Sequence, residues 1–133
     1  MTGDEDVDYL NPAGWPRPQG YSNGVAATGR QVFVAGQIGW DREGVVADGL
    51  VEQVRQALAN CLEVLAVAGG GPEHVARMTW FVTDKALYAA KRAEIGAVYR
   101  ELMGRAYPAM SLYEVGLLEP DALVEIEMTA VVA

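Results

Sequence analysis

From Leu123 to Ala130 the side chains alternate with a period of two, a pattern that suits an extended strand with one buried face. Val124, Ile126, Met128 and Ala130 fall on one side, and Leu123, Glu125, Glu127 and Thr129 on the other. Two carboxylates therefore project, about 7 Å apart, from a strand whose opposite face is apolar. Just upstream, Tyr107-Pro-Ala-Met-Ser-Leu-Tyr-Glu-Val115 has the composition of a second strand, with Pro108 at its start. Pro120 and Asp121 suit a turn between the two, so a hairpin-like pair is expected.

The rest of the chain supplies partners for that pair. Val25-Ala-Ala and Gln31-Val-Phe-Val-Ala35, separated by Thr28-Gly29-Arg30, predict a further hairpin. Asp48 is placed to cap a helix with Glu52 in its first turn, and Val51, Val54, Leu58, Cys61, Leu62 and Leu65 recur along one helical face. Gly69-Gly-Gly-Pro72 ends that helix; with no helix or Lys-Ser/Thr after it, it lacks the setting of a phosphate cradle. A strand follows over 75–83, apolar on both sides except at Arg77. Asp84 then caps a second helix through Met103, with Tyr88, Ile95, Tyr99 and Leu102 on one face and Gly104 at its end.

Strand, strand, helix, strand, helix, strand, strand predicts an α+β single domain with one mixed β-sheet and two helices packed on one face. Residues 1–19, rich in Asp, Pro and Gly, form an N-terminal arm whose Trp15 should pack on the domain at 20–133. The strands around Phe33 and Trp80 are apolar on both faces, while two helices cover only one. The uncovered face predicts self-association.

Composition narrows the partners. With 133 residues, 51% of them hydrophobic, the chain suits one domain with a real core. A net charge of −8 opposes binding to phosphate backbones or anionic bilayers, so neither nucleic acid nor membrane is an expected partner. The acidic N-terminus lacks the features of a secretory signal, and a lone cysteine fits a reducing compartment, so a cytoplasmic location is expected. With one histidine, His74, read as a surface residue at a strand start, and Cys61 on the buried helix stripe, neither a metal centre nor a Ser-His-Asp or Cys-His nucleophile is expected.

Tyr107-Pro-Ala-Met-Ser-Leu-Tyr-Glu-Val115 and Val124-Glu-Ile-Glu-Met-Thr-Ala130 together resemble the C-terminal half of the RidA/YjgF family of small enamine and imine deaminases. Gly20-Tyr-Ser-Asn-Gly-Val25, Val32-Phe-Val-Ala-Gly-Gln-Ile38 and the helix bearing Glu52, Gln53, Asn60 and Leu65 are similar to its N-terminal half. The resemblance spans roughly residues 20–132. It implies a chorismate-mutase-like homotrimer, a small-molecule ligand in each inter-subunit cleft, and no cofactor.

The resemblance also distributes roles. Glu125, otherwise a solvated strand position, would line the cleft and hold or deprotonate the attacking water. Tyr21 would line the pocket or pack; Ser111 would bind a ligand or join a strand hydrogen bond; Tyr113 is read as core. Where imine-hydrolysing relatives carry an arginine that grips a carboxylate, this chain has Met110. Losing one member of such a buried charge pair costs about 2–5 kcal/mol, so short 2-imino acids should be poor substrates. A wider, drier pocket bounded by Met110, Tyr21 and Trp40 favours a larger conjugated amino-acid derivative such as 2-aminomuconate. Arg30, Arg42, Arg77 and Arg105 remain available for an anion. The alternative is a non-catalytic trimeric module that binds a metabolite or protein.

Overall fold

The computed structural model describes residues 7–133. In chain order the elements are β1 (Val7–Leu10), β2 (Gly24–Ala27), β3 (Arg30–Ile38), α1 (Leu50–Val67), β4 (Val75–Val82), α2 (Lys85–Ala90), α3 (Arg92–Met103), β5 (Ala109–Glu114) and β6 (Val124–Val132). The main sheet has the order β3-β6-β4-β5, with β4 and β5 parallel and the other neighbours antiparallel. The helices cover one face of this mixed sheet, as the apolar patterns require.

Two expected pairings are not formed. β5 and β6 do not make a hairpin, because β4 lies between them. The physical reason is burial: Val124, Ile126 and Ala130 of β6 are fully inaccessible, which needs strands on both sides and α1 above. Local turn chemistry could not report that choice. The expected pairing of β2 with β3 is also absent; β2 pairs antiparallel with β1, drawn from the arm. At the junction, a Cβ on Gly29 would stand 2.5 Å from the Val132 carbonyl oxygen, so only glycine can pass β6 so closely. Ser22 bridges to Ala109 while Arg30 opens β3, so β2 runs past the end of the sheet from one edge strand to the other.

The helix boundaries show the same mixture. Asp84 caps α2 as expected, its Oδ1 accepting from the Leu87 N–H at 3.0 Å. Asp48 does not cap α1; Gly49, at φ 84, occupies the cap position and turns the chain into the helix one residue later. The second helix is interrupted at Lys91 (φ −106, ψ 12), dividing it into α2 and α3. Gly69 and Gly104 stop α1 and α3 at positive φ, as predicted.

Val54, Leu58, Cys61 and Leu65 of α1 pack into the core that holds Met78, Trp80 and Val82 of β4. Each such side chain contributes about 1.5–3 kcal/mol of burial. Cys61 fills core, its thiol donating to the Ile126 carbonyl at 3.3 Å, and burial pushes its pKa up to about 12. Gln53 is the buried polar hub: its amide donates to the Ala47 and Asp121 carbonyls and accepts from the Leu123 N–H at 2.7 Å. His74, expected at the surface, is instead mostly buried, its Nδ1 accepting from the Gly71 N–H at 2.9 Å in a 3-10 turn before β4. On the helix-free face Phe33 is 72% exposed, and Tyr113, expected in the core, is half-exposed and stacked on Phe81. Trp15 is also largely exposed.

Candidate functional site

The parallel register of β4 and β5 sets Met78 beside Met110 and Trp80 beside Leu112. Alternation then turns Trp80, Met110 and Leu112 toward the helices. α2 places Tyr88 edge-on to Trp80, with ring centroids 6.4 Å apart, and α3 places Tyr99 over Tyr107 in a stack at 5.7 Å. The Tyr99 hydroxyl is tied down by donating to the Ala106 carbonyl. Between these groups lies a cavity of about 490 Å³, large enough for a small molecule.

Tyr21 closes the cavity from the N-terminal segment. Its position is held by its neighbour: the Ser22 N–H donates to the Pro108 carbonyl at 3.0 Å, and the Ser22 hydroxyl donates to the Tyr107 carbonyl. Beyond Tyr21 the space opens into a second hollow of about 660 Å³, bordered by Asn11, Arg17 and Arg105. Gln19, Gly20, Tyr21 and Tyr107 border both, so the two form one continuous cleft along the edge of β5.

The ionisation of this wall is shaped by burial. Tyr99 is raised above the ordinary phenol range by desolvation first, and then by the neighbouring Tyr107 and Tyr9. Tyr88 is raised by desolvation, with the Arg92 guanidinium pulling the other way. Both are neutral hydroxyls at neutral pH, and the Tyr99 proton is already given to the Ala106 carbonyl. The indole Nε1–H of Trp80 is buried and has no partner among the described residues.

The residues singled out from sequence do not all meet. Tyr21 and Met110 share the cavity. Glu125 lies on the opposite face of the sheet, in register with Phe81, its carboxylate over Gly36 at the β3 irregularity between Val34 and Gln37. Ser111 is on that same face beside Thr79, two strands from Glu125. Trp40 stands past β3, its carbonyl accepting from Asn60 Nδ2 at 2.9 Å, and borders a shallow depression with Gln37 and Val64. Of the arginines considered as anion ligands, only Arg105 reaches the cleft. Trp80, Arg92 and Arg100 were not singled out; the spacing of Tyr88, Arg92, Gly96 and Arg100 by four was the available signal, but nothing linked that helix face to Met110. Among the described residues no His, Cys, Asp and Glu cluster could hold a metal, and no helix is long and apolar enough to cross a membrane.

The profile of the family described as Endoribonuclease L-PSP matches residues 16–132. A RutC family protein of Synechocystis is 40% identical over 129 residues, covering 94% of this chain and 96% of that protein. The chain belongs to the RidA/YjgF family. Another relative is the 2-iminobutanoate/2-iminopropanoate deaminase of Capra hircus, 33% identical over 113 residues, covering 84% of this chain and 79% of that one. Among solved structures, the Rid family protein YyfB of Yersinia pestis superposes with a TM-score of 0.84 at 33% identity, covering 96% of this chain and 99% of its own. This RidA/YjgF member therefore shares its fold with a Rid protein over nearly its whole length.

Proposed function

We propose that this RidA/YjgF member is an enamine or imine deaminase, adding water across a C=N bond with release of ammonia, and that its substrate is a conjugated amino-acid derivative larger than a short 2-imino acid. The observation that carries this reading is that Tyr21 and Met110, assigned to the ligand cleft by family resemblance, wall one aromatic cavity. The deaminase name borne by the Capra hircus relative supports the reaction class. The tyrosine and tryptophan walls favour a flat unsaturated body, and Met110 presents an apolar side chain where the family resemblance implies an arginine.

Glu125 enters through assembly. It lies across the sheet from Met110 in the same chain, on the face where Phe33 and Tyr113 are exposed. A homotrimer joined through that face would let Glu125 of one subunit meet the cavity of its neighbour, where its carboxylate would orient the attacking water. Ser111 and the outward backbone of β5 would line the same boundary; β5 is an edge strand, bridged on its outer side by Ser22 at Ala109.

The test is ammonia release across a panel of enamines and imines, using trimers mixed from Glu125→Gln and Tyr21→Ala subunits. Each pure variant should be impaired. An equal mixture should recover about a quarter of native activity, since one cleft in four would combine two intact halves. No recovery would exclude a shared site.

One observation favours the non-catalytic reading: among the described residues, those lining the cleft include no Asp, Glu, His or Cys to act as a general base within one chain. Binding without turnover of any panel member would support it.

A further inference from the structure

We infer that the anion-gripping role missing from β5 is supplied by α3, with Arg92 and Arg100 binding the carboxylate of an unsaturated ligand whose body lies against Trp80 and Met110. This rests on reading that cavity as the substrate site. It differs in its source of charge: the cation comes from the helix wall instead of the strand.

Three observations converge. First, the chain carries a net charge of −8, yet among the described residues no Asp or Glu lines either part of the cleft, while Arg17, Arg92, Arg100 and Arg105 do. Second, these four arginines have no acidic partner among the described residues, whereas Arg42, Arg55 and Lys91 are each paired with a glutamate elsewhere. Arg92 stands at the first position of α3, where the helix dipole disfavours a cation, and Glu94 in that turn is engaged with Lys91. An uncompensated guanidinium at that helix end makes a local field suited to an anion.

Third, the geometry joins the charges to the cavity. Arg92, Gly96 and Arg100 follow one another at intervals of four, hence along one side of α3, and all three line the cavity. A Cβ at Gly96 would lie 3.3 Å from Arg100 Nη1, so the glycine leaves that guanidinium room to lie along the helix. Behind them lies the ring of Trp80, its buried Nε1–H without a partner among the described residues. A flat ligand with a carboxylate at the helix end and its body against Trp80 and Met110 fits this arrangement.

The experiment uses trans-cinnamate and its uncharged amide as probes. Binding is followed by the indole N–H resonances in NMR, with Trp80 assigned through Trp80→Phe. Cinnamate should shift the Trp80 resonance and bind about tenfold more tightly than the amide. Arg92→Gln and Arg100→Gln should each remove most of that preference. Arg30→Gln, which deletes the same charge at the start of the opposite edge strand, should leave it intact. Equal affinity for acid and amide, no shift of Trp80, or equal losses in Arg30→Gln would overturn the assignment. Tight binding of a short RNA that is lost in Arg92→Gln would overturn the small-carboxylate class. Charge-dependent cinnamate binding without ammonia release from any panel member would remove the deaminase reading and leave the arginine assignment standing; ammonia release with a KM indifferent to both arginines would do the reverse.

Discussion

Gly36→Ala is a way to displace the Glu125 carboxylate without altering it chemically. A Cβ at position 36 would fall 2.7 Å from Glu125 Oε2, 2.8 Å from its Cδ and 3.0 Å from its Cγ. All three atoms belong to one flexible side chain, so the side chain must yield and the backbone need not. An off-rotamer glutamate costs about 0.5–1.5 kcal/mol, while replacing glycine by alanine returns about 0.4–1 kcal/mol of unfolded-state entropy. Urea unfolding should therefore place the variant within about 1 kcal/mol of the native chain. Activity should respond far more. A carboxylate moved by roughly 1 Å from its water-orienting position loses about 100-fold in rate, or about 2.7 kcal/mol of transition-state stabilisation. The assay is a double-mutant cycle on ammonia release with Glu125→Gln. If the loss runs through the carboxylate, Gly36→Ala should add less than about threefold in the Glu125→Gln background. Undiminished turnover in Gly36→Ala refutes Glu125 as the water-orienting group. An equal loss in both backgrounds shows that the new methyl obstructs something else.

Three further outcomes are expected. Met110→Arg should create hydrolysis of short 2-imino acids where the native chain has little, measured as ammonia release from 2-iminopropanoate generated in situ; no gain would show that position 110 does not address the reacting ligand. Gln53→Leu removes the partner of the Ala47 and Asp121 carbonyls and of the Leu123 N–H at a part-buried site, so it should lower unfolding free energy by about 1–3 kcal/mol in a urea titration, and a loss under about 0.5 kcal/mol would contradict the hub. Cys61 and Tyr99 both hold their protons more tightly folded than unfolded, so stability should be level below about pH 9 and fall as pH rises, when the unfolded chain ionises first. Unfolding free energies measured across that range check the sign, and native Cys61 should resist iodoacetamide until the chain unfolds.

Much of the fold was legible because its signals are local. Alternation at Leu123–Ala130 assigned the faces of β6, helical spacing assigned the buried stripe of α1, and Asp84 marked a helix start that its side chain does cap. Errors came where a local signal had two long-range completions. Pro120 and Asp121 announce a change of direction but not whether β6 returns beside β5 or crosses β4. Thr28-Gly29 has the composition of a hairpin turn, yet Gly29 is needed for its approach to Val132, and β2 finds its partner in the arm. At the cleft, Tyr21 and Met110 could be named from resemblance, whereas Arg92 and Arg100 could not, since the helix phase relative to β5 depends on the break at Lys91.

The amino-acid order alone determined the family, the kinds of element and which side of each strand or helix is greasy, because those depend on residues close together in the chain. Only the tertiary structure decided which edge strand borders the aromatic cavity, that Glu125 faces away from it, and that four arginines line that cleft in an acidic protein. Those are relations between segments far apart in sequence, set by the competition to bury apolar faces.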